Sequence, residues 1–254
     1  MADDPTGAFA ALMALGDALP LDEACLRIAQ RARPELDVAT ELARLDALAD
    51  GVPDASAAAV VRHLCVDLGF SGDRATYHDA RNSLLPDVLD RRLGIPISLA
   101  IVAIEVARRQ GVPLLGVGMP GHFLVREADD PDRFLDVFDG GRVLDAADCR
   151  AVFERLHPKL PWDDAYLAPT RAPAIVARVL VNLANAHRRA GDREGLAAAL
   201  ELRLLAPGAS VRERRELAVL LGSMGRFAQG AAVLDASGDA ADRVSAMRLR
   251  ARLN

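Results

Sequence analysis

Three residues of this 254-residue chain carry groups that could act together on a carbonyl: Ser98, His122 and Asp136. A serine hydroxyl is inert until a neighbouring imidazole takes its proton, and the imidazole needs an acceptor on its far nitrogen to fix its tautomer. Ser98 falls in the first turn of a long apolar helix pattern. There, free backbone N–H groups and the positive end of the helix dipole could hold an oxyanion. His122 follows Pro120-Gly121 and begins a strand pattern. Asp136 lies between Leu135 and Val137 inside another strand pattern, a costly place for an acid without a partner. Spacing alone leaves plainer readings open: a helix cap for Ser98, a satisfied or exposed ring for His122, and an arginine such as Arg126 or Arg133 as partner to Asp136.

Other residues could join such a site. Asn82 leads into the central helix and could donate to an oxyanion, although a turn or cap is the commoner use of asparagine there. Glu105, seven residues after Ser98, shares its helical face and could line the pocket; a buried pair with an arginine is the alternative. Tyr77 and His78 could border the cleft. His63, His78, His157 and His187 show no ligand spacing with one another, which argues against a metal site. Cys25, Cys65 and Cys149 are odd in number and contain no C-x-x-C, so reduced thiols are expected rather than a disulfide framework. With no phosphate loop and no dinucleotide fingerprint, no cofactor is expected.

The elements that would position these groups can be read from hydrophobic periodicity. Leu21 to Ala32 places acids in its first turn and arginines in its last, as a helix dipole favours. Leu36 to Asp50 and Ser56 to Leu68 also carry apolar residues at helical spacing, so the N-terminal third reads as a helical layer. The first 20 residues fit either fraying or a short helix. Gly69 to Asp73 reads as a turn and Leu84 to Leu93 as a short helix. Pro96 then suits the start of a helix that runs to Arg109 and is capped by Gly111. It is apolar nearly all round, which predicts a central, buried helix. Next come four short strand patterns: Leu114 to Val117, His122 to Arg126, Arg133 to Phe138 and Arg142 to Leu144, with Asp139-Gly140-Gly141 as a hairpin signal. A buried helix against an antiparallel meander is an α+β arrangement.

The expected domain order is a core at 1–156, a proline-rich linker at 157–172 and a helical region at 173–254, with Trp162 and Tyr166 pinning the linker. In the last region, Leu183 to Asp192 matches Leu217 to Arg226 at an offset of 34 residues, the period of a tetratricopeptide unit. Gly191 and Gly225 would end the first helix of each pair. Ala197 to Leu205 and Phe227 to Leu234 would form the second helices.

Composition narrows the function classes. Hydrophobic residues make up 51% and charged residues 26%, enough to bury a core and exclude wholesale disorder. Net charge is −5, and the arginine pairs are mixed with acids, which argues against nucleic acid as a partner. The N-terminus opens with acids rather than the positive charge of a signal peptide. The apolar run from Leu93 to Ile104 stops at Glu105, short of the ~20 residues that span a bilayer. A soluble, cytoplasmic protein with no membrane partner is expected.

The joined motifs GIPISLA (94–100), PGHFLVR (120–126) and LDVFDGG (135–141), with Arg81-Asn82-Ser83-Leu84 upstream, resemble the SirB-type proteins. These are bacterial proteins with a transglutaminase-like core followed by tetratricopeptide helices. The resemblance runs from about Leu21 into the repeat region. It implies a papain-like core in which Ser98 takes the place of the superfamily's catalytic Cys, His122 that of its His and Asp136 that of its Asp. Val137 departs from the family's more usual Asp-Pro pair. Two functions follow as expectations. One is a Ser-His-Asp site for acyl transfer or hydrolysis of peptide or protein amides. The other is a catalytically inactive scaffold that holds a protein or peptide partner through its cleft and C-terminal helices. The sequence leans slightly to the first and leaves the oligomeric state open.

Overall fold

The computed structural model describes residues 4–252. The protein is α+β, 61% helical, with a small antiparallel sheet. Its internal contacts divide it into two units at Val179/Leu180.

The first unit opens with α1 (Pro5–Met13), α2 (Leu21–Ala32), α3 (Val38–Asp50) and α4 (Ala57–Arg62). Asp4, Asp37 and Ser56 cap α1, α3 and α4 by accepting a backbone N–H from the first turn. The helix expected over Ser56 to Leu68 is regular only to Arg62 and widens into a π-type turn over His63–Asp67. The Gly69 to Asp73 turn also holds a strand. Ser71–Gly72 (β1) pairs in parallel with Leu93–Gly94 (β2), a contact between segments too short to show a period. Between them lies α5 (Leu85–Arg91), ended by Arg92 in the left-handed conformation at φ 54°.

Helix α6 (Pro96–Arg109) is the centre of this unit. It packs on α2, α3, α4 and α5 on one side and on β3 and β4 on the other. Burial on both sides is what its continuous apolar surface requires. The sheet is a meander, β3 (Leu114–Val117), β4 (Leu124–Glu127), β5 (Phe134–Asp136) and β6 (Arg142–Leu144), with neighbours antiparallel throughout. Its register sets Val117 opposite Leu124 and Asp136 opposite Arg142. Two strands are shorter than their patterns suggest. His122 therefore lies in the turn before β4, its N–H donating to the Met119 carbonyl, and Asp136 is the last residue of β5 rather than an interior one.

Helix α7 (Ala146–Leu156) follows, capped reciprocally by Asp145 and Asp148. The proline-rich segment after it is not a free tether. Trp162, Tyr166 and Leu167 pack on a cluster that includes Phe134, Cys149 and Phe153. The division of the chain thus falls later than this segment, within α8 (Ala172–Ala190).

The second unit contains α9 (Arg193–Arg203), α10 (Val211–Ser223), α11 (Phe227–Asp235) and α12 (Ala240–Arg250). Its two turns repeat bond for bond at the sequence offset. Asp192 N–H donates to His187 O and Arg226 N–H to Leu221 O; Gly191 and Gly225 sit at φ 70° and 77°. A positive φ is what glycine supplies at a helix end.

Candidate active-site cleft

Ser98 is the third residue of α6, in its first turn, and is 3% exposed. Its hydroxyl is engaged by backbone. It accepts from the Ile95 N–H at 3.1 Å and donates to the Asn82 carbonyl at 2.6 Å, with the Ile95 carbonyl at 3.0 Å. A hydroxyl has one proton, and the Asn82 carbonyl is the shorter acceptor. Gly94 closes the space on another side: a Cβ there would lie 2.6 Å from the hydroxyl oxygen. Ser98 therefore caps α6 and ties it to the segment before it.

Asn82 is fully buried and has both ends of its amide in use. Its NH2 donates to the Thr76 carbonyl at 2.8 Å and to Asp73 at 3.2 Å, and its oxygen accepts from Arg91 at 2.9 Å. Arg91 also bonds Asp73 at 2.9 Å. The Thr76 hydroxyl and amide, with Asn82 and Arg91, hold the Asp73 carboxyl far below the usual range against the pull of desolvation. This network fixes the loop that carries Tyr77 and His78. Asn82 leaves no N–H over for an oxyanion.

His122 and Asp136 are brought together. Nε2 of the ring lies 2.7 Å from Asp136 Oδ2, and the other carboxylate oxygen accepts from the Asp139 N–H at 3.1 Å. An ionised carboxylate only accepts, so the shared proton belongs to Nε2. The second ring nitrogen, Nδ1, has no protein partner among the described residues and is reached by solvent. Phe138 meets the ring edge-on, with centroids 6.1 Å apart. The backbone of His122 is clamped as well. Arg178, on α8 and within the first unit, donates to the His122 carbonyl at 2.7 Å and to the Met119 carbonyl at 2.9 Å. It also stacks over Phe123. No sequence signal marked Arg178, because its role is set by a contact 56 residues away along the chain.

A cleft of about 450 Å³ opens beside this pair. Tyr77, Pro96, Phe138, Val152 and Leu156 give it apolar walls, and Arg74, His78, Asp139 and Arg155 give it charge and polarity. Tyr77 and His78 border the cleft, as the sequence suggested they could. Helix α6 contributes Pro96, its first residue, and not Ser98. Among the described residues Ser98 makes no hydrogen bond to His122. Where the helix start reaches the cleft, the wall is therefore a proline ring.

Glu105 lies at the other end of α6, away from the cleft. Its carboxylate takes Arg108 at 2.7 Å and Arg109 at 3.1 Å, and Asp22 takes the same two arginines at 3.2 and 2.8 Å. Burial and the neighbouring Asp22 charge push Glu105 upward. Asp22 is also pulled up by burial, but Arg109 and the Glu23 amide outweigh that and hold it low. The cysteines lie outside the cleft lining, and burial raises each thiol, Cys65 to about 11 and Cys149 to about 12. Among the described residues no group of three or more His, Cys, Asp or Glu could hold a metal ion, and no helix is long and apolar enough to cross a membrane.

The model of a family described as the transglutaminase-like superfamily matches residues 22–181. A UPF0162 protein of Xylella fastidiosa (strain 9a5c) is 44% identical over 184 residues, covering 66% of this chain and 64% of that protein. A UPF0162 protein of Pseudomonas aeruginosa is 42% identical over 125 residues, 49% of this chain and 46% of its own. F-box only protein 21 of Homo sapiens is 36% identical over 91 residues, 32% of this chain and 14% of its own. This chain thus spans less than two thirds of the length of these relatives. No solved structure matches it.

Proposed function

The chain belongs to the transglutaminase-like superfamily, and we propose that its cleft binds a segment of a peptide or protein partner without forming an acyl intermediate on Ser98. The observation that carries this reading is the pairing of Pro96 in the cleft wall with a Ser98 hydroxyl held by the Ile95 amide and the Asn82 carbonyl. A nucleophile has to reach the substrate carbonyl and pass its proton to a base. To do so Ser98 would have to give up bonds that also cap α6, and a serine gains little from a helix N-terminus that would lower the pKa of a thiol.

The SirB-type assignment, with tetratricopeptide-like helices beyond the core, is part of the same proposal. Its support is the motif set around Gly94, His122 and Asp136 and the 34-residue offset shared by the two C-terminal turns. In the second unit, a groove of about 670 Å³ lined by residues including Val219, Leu249 and Arg215 offers a further surface for such a partner.

One observation favours the other reading. His122 and Asp136 keep the geometry of a general base and its orienting acid, which suits acyl transfer or amide hydrolysis with Ser98 as nucleophile. A fluorophosphonate probe separates the two. On the binding reading the protein stays unlabelled at Ser98 after prolonged exposure at neutral pH. Stoichiometric labelling that disappears in Ser98→Ala and His122→Ala would establish the serine enzyme instead.

A further inference from the structure

The cleft has chemistry of its own, apart from the nucleophile it lacks. Asp136 is spent on His122, and Asp139 is spent on Arg74, which lies 2.7 Å from it and stacks over Phe138. His78 is left over, and so are two further cationic or protonatable groups. His122 is 8% exposed, and its Nδ1 has no protein partner among the described residues. Arg155, exposed on α7, has no carboxylate partner among the described residues. The N-terminus of the 14-residue α6 reaches the same cleft through Pro96 and adds its positive potential. The same cleft is lined by the apolar or aromatic side chains of Tyr77, Phe138, Val152 and Leu156. An unspent guanidinium, an open imidazole nitrogen and a helix N-terminus beside an apolar wall complement a carboxylate carried next to an apolar side chain.

We infer that the cleft recognises a peptide carboxylate, with His122 Nδ1 and Arg155 on the anion and the apolar wall on the adjoining side chain. The inference rests on the reading of the cleft as a peptide-binding site and names what it selects. It also fixes a proton count. With Asp136 on Nε2, a neutral ring offers Nδ1 only as an acceptor, so a carboxylate can bond there only when the ring is charged. Binding therefore takes up a proton, and affinity falls as pH rises. The other titratable or charged groups facing His122 across the cleft are Arg74, Tyr77, His78, Asp136, Asp139 and Arg155. A His78→Ala control isolates the other imidazole that lines the cleft.

The test uses the full chain and fluorescein-labelled tetrapeptides read by anisotropy. One ends in leucine with a free carboxylate, one in leucinamide, and one places glutamate before leucinamide. The expected result is that at least one carboxylate peptide binds about tenfold or more tightly than leucinamide. The free-acid and glutamate arms tell a chain terminus from a side chain as the source. The preference should vanish in His122→Gln and Arg155→Ala, and it should weaken with rising pH in both wild type and His78→Ala. Arg155 is exposed, so its variant keeps the fold and remains informative should His122→Gln unfold. Equal binding of all three peptides, lost in His122→Gln, would overturn the carboxylate inference and leave peptide binding standing. Binding of none would overturn both.

Discussion

The two ends of α6 both bury polar side chains, and they spend them differently. At the C-terminal end Asp22 and Glu105, each with 3% of its side chain exposed, share Arg108 and Arg109, and Arg109 reaches on to Asp46. Charge meets charge there, and no cleft residue is involved. At the N-terminal end Ser98 and Asn82 are closed in the same way, each group answered by backbone or a neighbour. Immediately beside them His122 keeps one nitrogen free at the edge of a cleft. A buried polar group whose partners are all inside the fold is explained by stability. A fixed imidazole with one nitrogen unpartnered at a cleft edge is not explained that way, and it is what the proposed binding rests on.

The largest expected effect breaks the closed end. Arg109→Ala strands two buried carboxylates with only the more exposed Arg108 left, and should cost about 3–5 kcal/mol in urea unfolding. A loss below about 1 kcal/mol would mean that this cluster is solvated in solution.

The next effect separates Pro96 from Ser98. Pro96→Cys puts a thiol in the cleft wall at a helix start, where its pKa falls, whereas Ser98→Cys places it under the Ile95 and Asn82 backbone. Iodoacetamide should label the first about a hundredfold faster than the second, equivalent to about 2.7 kcal/mol in barrier. Burial keeps the three native thiols quiet as background. Comparable rates would show that Ser98 reaches the cleft.

Acid then probes the loop behind the cleft. Asp73 is depressed in the folded state, so it adds stability above the unfolded carboxylate pKa of about 4 and loses it as pH falls. Thermal melts between neutral and acid pH should show a shallower acid decline in Asp73→Asn than in wild type. An unchanged slope would remove this network from the acid response.

The smallest effect is at Ser98 itself. Ser98→Ala removes a cap and one bond to Asn82 and should cost about 1 kcal/mol, with peptide binding intact. Loss of binding without loss of stability would return Ser98 to the site.

Much of the fold was legible in the chain. The periodicity of Leu21 to Ala32, the all-round apolar surface of α6, and the glycine-marked turns at Gly111, Gly191 and Gly225 are local signals with local causes. That Asp136 needs a partner was legible too, since an acid inside a strand pattern is costly alone, but the residues left His122 and an arginine both open and only the family resemblance pointed to His122. The pinning of the proline-rich segment by Trp162 and Tyr166 was legible as well, whereas the short β1–β2 pair and the clamp from Arg178 were not. Each depends on residues far apart in sequence, and two-residue strands are too brief to carry a period.

The sequence by itself determined which residue types were available and roughly on which elements they ride: a serine and a proline at one helix start, a histidine at the start of one strand pattern, an aspartate inside the next. Only the tertiary structure decided which of them share a cleft. Ser98 and Pro96 are two residues apart on a helix, and such residues do not face the same way. The rotation of α6 against β3 and β4 therefore placed the proline in the cleft wall and turned the hydroxyl toward the Asn82 carbonyl. That rotation is set by packing on both faces of α6, a property no single segment of the chain contains.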